Sequence, residues 1–420
     1  MVRMCALSLA LAICACAGSK PVSRPESPVR SAEFPVYEGN VIIDPAARRL
    51  GALWSIRFVA DSATTDSVVL YLNAGLAVSR VSGHNVASYT ARPGDDVQVV
   101  TVRLTPGLIS GNECRIDLEY AGVPVFGSDS INGVSPAWVE LGLDSHWLPV
   151  FAGYGKRIVG RVRIALPPGW NVVASGKVTP SGDFLVLETG IPLSDIAFTA
   201  SPVFHHAGAP NSSVHWVRSD SATVAHVLEV AESCRLYLNT RYGGSDSLPA
   251  VRLVLAPRTG PAYARRNYIV LTDAASAPKP VLGGFICHEF AHFWSIAANP
   301  SGPENWLNEG MAEYVSARYV RATFGQAAYD SSVARWRRMS TGQPPIWTPQ
   351  SARRPSAQVA YRKAPFLLSR LEERIGTGGM DQFLRRYMTE RIRTTPQLLS
   401  VLQDVAGPET ASWFRQELAR

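Results

Sequence analysis

Charge, cysteine and long apolar runs are all in short supply in this sequence, and each shortage narrows what it can be. Charged residues make up 18% of the 420, with 34 Asp+Glu against 41 Lys+Arg and a formal net charge of +7. Residues 351–420 hold twelve of the Lys+Arg against seven Asp+Glu, so the excess is local. No aromatic–basic platform accompanies it, which favours a charged helical surface over a nucleic-acid site. Beyond the first seventeen residues no segment offers eighteen uninterrupted apolar positions. The nearest, 281–298, is broken by His288, Glu289 and His292. A membrane-spanning helix is therefore not expected in the folded part. Of six cysteines, Cys5, Cys14 and Cys16 precede any folded pattern, leaving Cys114, Cys234 and Cys287. Three widely spaced thiols allow at most one disulfide and exclude a disulfide framework. Cys287 is next to His288, but helix neighbours point about 100° apart, so it reads as a packed thiol. There is no internal repeat and no low-complexity block.

The opening residues carry an address. MVRMCALSLALAICACA has an early Arg3, an apolar run and then small residues, the order of an export signal. Two processing routes fit residues 1–17. Ile13-Cys14-Ala15-Cys16 resembles a bacterial lipobox, which makes Cys16 a lipidated N-terminus in the cell envelope. Ala15-Cys16-Ala17 also satisfies a small-x-small cleavage rule, which gives a soluble secreted or periplasmic protein. The Pro/Ser-rich stretch 18–36 suits an extended tether and favours the lipid anchor.

The rest of the chain is globular in composition, 46% hydrophobic across the whole sequence, and long enough for two or three cores. Residues 37–204 alternate apolar and polar in short runs such as Trp54–Val59, Val97–Leu104 and Ile158–Leu166. Turn signals at Pro93–Asp96, Thr105–Gly107, Pro167–Gly169 and Pro180–Asp183 separate them. An antiparallel β-sandwich is expected there. From residue 205 to 420 the character is mixed and then helical. A helix over Thr223–Tyr242 has Val224, Val227, Leu228, Ala231, Leu236 and Leu238 towards one face. Strands are expected next over Ala250–Ala256 and Tyr268–Thr272, then a run of helices. His205, His206 and His215 fit no metal motif and read as structural.

Chemistry concentrates in 281–314. His288-Glu289-Phe290-Ala291-His292 is an H-E-x-x-H pattern, and positions i and i+4 share a helix face, so both imidazoles can point at one metal. The plain alternative is a core helix with hydrogen-bonded histidines, but two His and a Glu on an apolar helix are costly without a partner. Glu309, in Asn308-Glu309-Gly310, supplies a third ligand from a following helix. Two His, one Glu and an open fourth position describe a hydrolytic zinc site, one Zn2+ per chain. The first of these helices is expected to end near Asn299-Pro300 and the second to run from Pro303 to Gly325.

Together these residues resemble the aminopeptidase-N and leukotriene-A-hydrolase family of gluzincin metallopeptidases. His288–Trp294 looks like the family's zinc helix, Trp306–Tyr314 like its second helix, and Val359–Ala364 with Leu371, Phe383 and Tyr387 like the stretch holding its catalytic tyrosine. The resemblance implies an α+β chain of several domains. An N-terminal antiparallel β-sandwich precedes a thermolysin-like α/β zinc peptidase domain with a short helical C-terminal part. It also implies peptide-bond hydrolysis by a zinc-bound water, with Glu289 as general base and Tyr361 as oxyanion donor. Glu313, one turn past Glu309, faces the same side, and two readings stand equally: it orients a ligand imidazole, or it is a solvated helix glutamate. Arg265 and Arg266 follow a flexible loop and precede an expected edge strand; a plain surface loop is the favoured reading, and the other is an extended substrate that adds to that edge with an Arg meeting its carboxylate.

The sequence also departs from the family. Sixteen residues separate His292 from Glu309, a shorter connection than usual. The G-x-M-E-N motif, whose Glu grips a free α-amine, corresponds here to Thr259–Asn267, which contains no acid. Pro365 breaks the backbone bond to the Tyr361 carbonyl, so a helix starts or kinks there. Only 59 residues follow Tyr361, so the family's large C-terminal helical domain is not expected and a more open cleft is. The expected partner is a peptide or protein substrate. The reading from another class is a catalytically silent peptide- or envelope-binding lipoprotein on the same fold.

Overall fold

The computed structural model describes residues 33–61, 64–127, 131–244, 246–272 and 274–420. The export signal, Cys16 and most of the tether lie outside them. Three sheets make up the N-terminal region. Seven strands form the largest, with Val36–Asp44 at its centre between Arg49–Val59 and Val159–Ala165. Period-two alternation puts Trp54, Ile56 and Phe58 inward, where they share one core with Leu70, Val100 and Val102 of a neighbouring sheet and with Trp147 of a connecting segment. Pairing is antiparallel except between Val36–Asp44 and Val159–Ala165, which run parallel. The expected turn at Thr105–Gly107 is instead part of the long strand Val97–Ile109, which carries a cis Thr105–Pro106 bond.

The helical region opens on a five-stranded sheet in the order His205–Ala209, Ser212–Trp216, Val251–Leu255, Tyr268–Leu271, Tyr263–Arg265. Tyr268–Leu271 is thus an inner strand, not the edge. The edge is the short Tyr263–Arg265, which the Gly/Pro loop before it hid from a pattern reading. His206 stacks on His215 in cross-strand register. Helix α1 (Ser221–Tyr242), capped by Asp220, buries Val230 and Cys234 with Val224, Val227, Ala231 and Leu238, while Leu236 is exposed. Helix α2 (Lys279–Ala291) and helix α3 (Asn305–Phe324) cross beside it. Helix α4 (Gln326–Ser340) comes next, then one π-helical segment, Val359–Lys363, and helix α5 (Ala364–Glu390), broken at Gly376. Helices α6 (Thr395–Ala406) and α7 (Pro408–Leu418) close the chain.

Cys287 is not a packed free thiol. It is disulfide-bonded to Cys234, tying α1 to α2 one residue before His288, and Cys114 remains the buried free thiol. No helix among the described residues is long and apolar enough to cross a membrane. The sheet and helical regions meet through buried ion pairs, Arg258 with Glu140 and Arg265 with Asp195. A small apolar cluster joins Val173 and Ala197 to Val254 and Val270 in the same seam.

Candidate active site

Helix α2 ends earlier than its sequence suggests, at His292 rather than near Asn299. The reason lies on α3. Asn308 takes Ala298 into its side chain from both sides, accepting from the backbone N–H at 3.2 Å and donating to the carbonyl at 3.1 Å. Ser295 donates to the Asn308 carbonyl at 3.1 Å. These bonds pull residues 293–304 off the helical path and strap them to the start of α3.

This leaves His288 and His292 on one face of the last turn of α2, opposite Glu309 on α3. His288 Nε2 lies 3.6 Å and His292 Nε2 3.4 Å from Glu309 Oε2. The ligand atoms of all three residues fall within 4.8 Å of one another. Tetrahedral zinc bonded at about 2.0–2.1 Å sets its ligand atoms about 3.3 Å apart, so this spacing fits. Electrostatics point the same way. Burial opposes charge on His288, but hydrogen bonds to Glu309 and Glu313 carry its pKa up to about 10. His292 is raised likewise, against burial, by Glu309. Burial would lift the Glu309 carboxyl, yet the two imidazoles hold it far below the usual carboxylate range. A carboxylate demanding positive charge between two imidazoles is a donor set suited to a divalent cation.

Around this group, Glu313 approaches His288 Nδ1 to 3.2 Å with one oxygen. Its other oxygen accepts from Arg362 at 2.9 Å and from Trp336 at 3.3 Å. Arg362 and Trp336 escaped sequence reasoning, although Arg362 directly follows the expected catalytic tyrosine. Tyr361 stacks over His288, ring centroids 5.6 Å apart at 19°. Burial, then the charge of Glu309, pushes its phenol well above the ordinary range, so it stays protonated. The chain before α5 is wound as a π-helix, and Pro365 falls in the first turn of α5, where its missing N–H costs no helical bond. Gly310 allows this approach: a Cβ there would lie 2.8 Å from Ala364 Cβ and 3.4 Å from the Ala360 carbonyl.

His288, Glu289, His292, Glu309, Glu313 and Tyr361 line one cleft of about 1170 Å³, walled on its far side by residues 154–157 and 191–194 of the sheet region. Arg265 and Arg266 line it too, but differently from expectation. Arg265 is committed to the buried Asp195, so it is not free for a substrate carboxylate. Arg266 lies over the Phe293 ring, 5.3 Å from its centroid.

Comparison with known proteins agrees with this geometry. Residues 261–412 match the Peptidase family M1 domain. The chain is 30% identical over 122 residues to a leukotriene A-4 hydrolase homolog of Botryotinia fuckeliana, covering 25% of this chain and 18% of that protein. It is 31% identical over 122 residues to a leucine aminopeptidase 2 of Sclerotinia sclerotiorum, covering 25% and 20% respectively. The matches therefore span about a fifth of these curated relatives. In fold, the chain is similar to an M1 zinc metallopeptidase of Deinococcus radiodurans, with a TM-score of 0.73 at 18% identity over 93% of this chain and 94% of the other. A mutant of an M1 zinc metallopeptidase from that organism, bound to a Tyr-Ser-Ala substrate, matches over the same shares with a TM-score of 0.69. The likeness extends to two-domain M1 structures, and here a β-sheet region is followed by a helical region. Over residues 261–412 the chain is thus identified with the Peptidase family M1 domain, on the fold of two-domain M1 structures.

Proposed function

We propose that this protein hydrolyses peptides in the cell envelope, with little dependence on a free N-terminus. One observation carries the reading: the His288–His292–Glu309 group, the Glu289 carboxylate and the Tyr361 phenol face a single cleft large enough for a peptide. The two imidazoles and Glu309 would hold a zinc ion, which when bound would supply Lewis acidity towards a carbonyl and a water. Glu289, beside the first imidazole, takes the proton of the attacking water and returns it to the leaving amine. Tyr361 donates to the oxyanion that develops on the carbonyl. Its raised pKa keeps that proton in place through neutral pH. Glu313 holds the His288 ring from behind and is itself held by Arg362 and Trp336.

The weak demand for a free amine follows from where the cleft carboxylates are spent. Glu304 accepts from Thr395 and Trp347, Asp246 pairs with Arg391, and Glu309 and Glu313 face the imidazoles. Among the described residues only Glu289 is left, and it has the proton-transfer role. The tripeptide-bound relative supports short peptides as substrates. The Cys234–Cys287 disulfide supports export to an oxidising compartment. The reading includes lipidation at Cys16, residues 18–36 as the tether, and a boundary between the sheet and catalytic domains near residue 204.

The test compares zinc-loaded protein with its Glu289→Gln variant on free and N-acetylated forms of one peptide set. The expected result is cleavage of both forms by the unaltered protein and none by the variant, with zinc content and thermal unfolding unchanged. Full activity in Glu289→Gln refutes the mechanism. Strict preference for the free amine refutes the specificity. Peptide binding without any turnover by the unaltered protein would mark it as a silent binding module.

A further inference from the structure

Positive charge is concentrated on one side of the helical region. Residues 326–363 hold seven Lys+Arg against one acid, Asp330, a net +6 in a chain whose formal net charge is +7. Asp330 is occupied at the start of α4, where Gln326 donates to it at 2.7 Å. Elsewhere exposed arginines stand beside carboxylates, Arg80 with Glu119, Arg115 with Asp117 and Arg161 with Glu188. Arg337, Arg338, Arg353 and Arg354 are exposed too, but no carboxylate among the described residues pairs with them. Folding gathers them. Trp336, beside Arg337, and Arg362 both donate to the same oxygen of Glu313. Lys363 donates to the carbonyls of Gln343 and Pro344 at 2.9 Å, which draws the turn after α4 against the π-helical segment. The charge of Arg354 reaches the Tyr361 phenol in that segment.

Large apolar side chains are set among these charges. A groove of about 410 Å³ runs between α2 and α4 over α3. Val281 and Phe285 on its α2 wall are 40% and 55% exposed, Arg338 stands on its α4 wall, and Met339 next to it is 37% exposed. Phe285 and Arg335 line both this groove and the active-site cleft, so the face reaches the rim of the cleft. A solvated basic helix needs no such side chains in the open. Guanidiniums beside exposed Phe and Met are the composition of a surface that lies on an anionic bilayer. The guanidiniums meet lipid phosphates, and the apolar side chains enter the boundary between headgroups and acyl chains.

We propose that the end of α4, the turn after it and Arg353–Arg354 form a face that docks on an anionic phospholipid surface, with the rim of the cleft close to the headgroups. The proposal goes beyond the peptidase reading and does not rest on it, since docking needs no turnover. It is also separate from acylation at Cys16, which would hold the chain by its end without choosing which side meets the bilayer.

The test is flotation of the zinc-loaded, signal-cleaved chain from Gly18 onward, which carries no acyl group. Vesicles of phosphatidylcholine alone are compared with vesicles containing about one-third phosphatidylglycerol. Binding is expected to the anionic vesicles only, weakening as salt is raised to physiological strength. Replacing Arg337 and Arg338 together by Gln should weaken it roughly thirtyfold, about fivefold for each guanidinium near a charged surface. Neither side chain holds a partner among the described residues, so thermal unfolding and cleavage of a short soluble peptide should stay as they were. Equal binding to both vesicle types, no binding to either, or binding that the paired substitution leaves unchanged overturns the proposal. Tighter binding to soluble polyglutamate than to the anionic vesicles would assign the face to an acidic protein and overturn it as well.

Discussion

Gly310→Ala is a one-methyl change that should reach the chemistry without touching a reacting group. Gly310 sits between the candidate metal ligand Glu309 and the segment carrying Tyr361. An added Cβ would lie 2.8 Å from Ala364 Cβ, about 0.6 Å inside the 3.4 Å at which ordinary contact begins. Neither neighbour is a flexible tip: one methyl is fixed to α5 and the other would be fixed to α3. The two elements must part, and Tyr361 moves away from Glu309 with its segment. Overpacking of this kind costs about 1–3 kcal/mol of stability. A shift near 1 Å in catalytic geometry costs up to about a hundredfold in rate, so a loss of kcat of at least roughly tenfold is expected. Zinc content should hold, because His288, His292 and Glu309 lie on the other side of the contact. The assay pairs kcat and KM with thermal unfolding and metal analysis. Gly284→Ala is the control, since its Cβ would meet nothing nearer than Val320 Cγ2 at 3.7 Å. It removes a helix-interior glycine and should leave stability equal or higher by about 0.5–1 kcal/mol. A Gly310→Ala enzyme that unfolds earlier but keeps its kcat would refute the claim that this contact aims Tyr361.

Tyr361→Phe should lower kcat by roughly 100- to 1000-fold with little change in KM, the signature of a donor used mainly in the transition state. An equal rise in KM would instead assign the phenol to substrate binding. Glu313→Gln should weaken zinc affinity by about 10- to 100-fold in chelator competition, since the His288 ring loses the carboxylate behind it. Unchanged affinity would reduce Glu313 to a structural partner of Arg362. Replacing Cys234 and Cys287 together by Ser opens a link across 53 residues and should cost about 4 kcal/mol by loop entropy, read as a lower denaturant midpoint. A midpoint unaltered by the double substitution would show that packing alone joins α1 to α2.

The sequence by itself determined the local parts of this protein. The i, i+4 spacing fixed which two imidazoles share a face, and period-two alternation set which residues of Arg49–Val59 and Val159–Ala165 turn inward. Asp220 before α1, Gly325 between α3 and α4, and Pro365 in the first turn of α5 mark their elements because capping and proline effects act over a single turn. Tertiary structure decided what depends on residues far apart in the chain. Helix α2 stops at His292 because Asn308, sixteen positions on, captures the backbone of Ala298. Cys287 found Cys234 because two helices cross there, and separation along the chain could not choose that pairing over Cys114. Arg265 is buried on Asp195, seventy residues before it, which no periodicity encodes. The Tyr263–Arg265 edge strand is too short to show alternation.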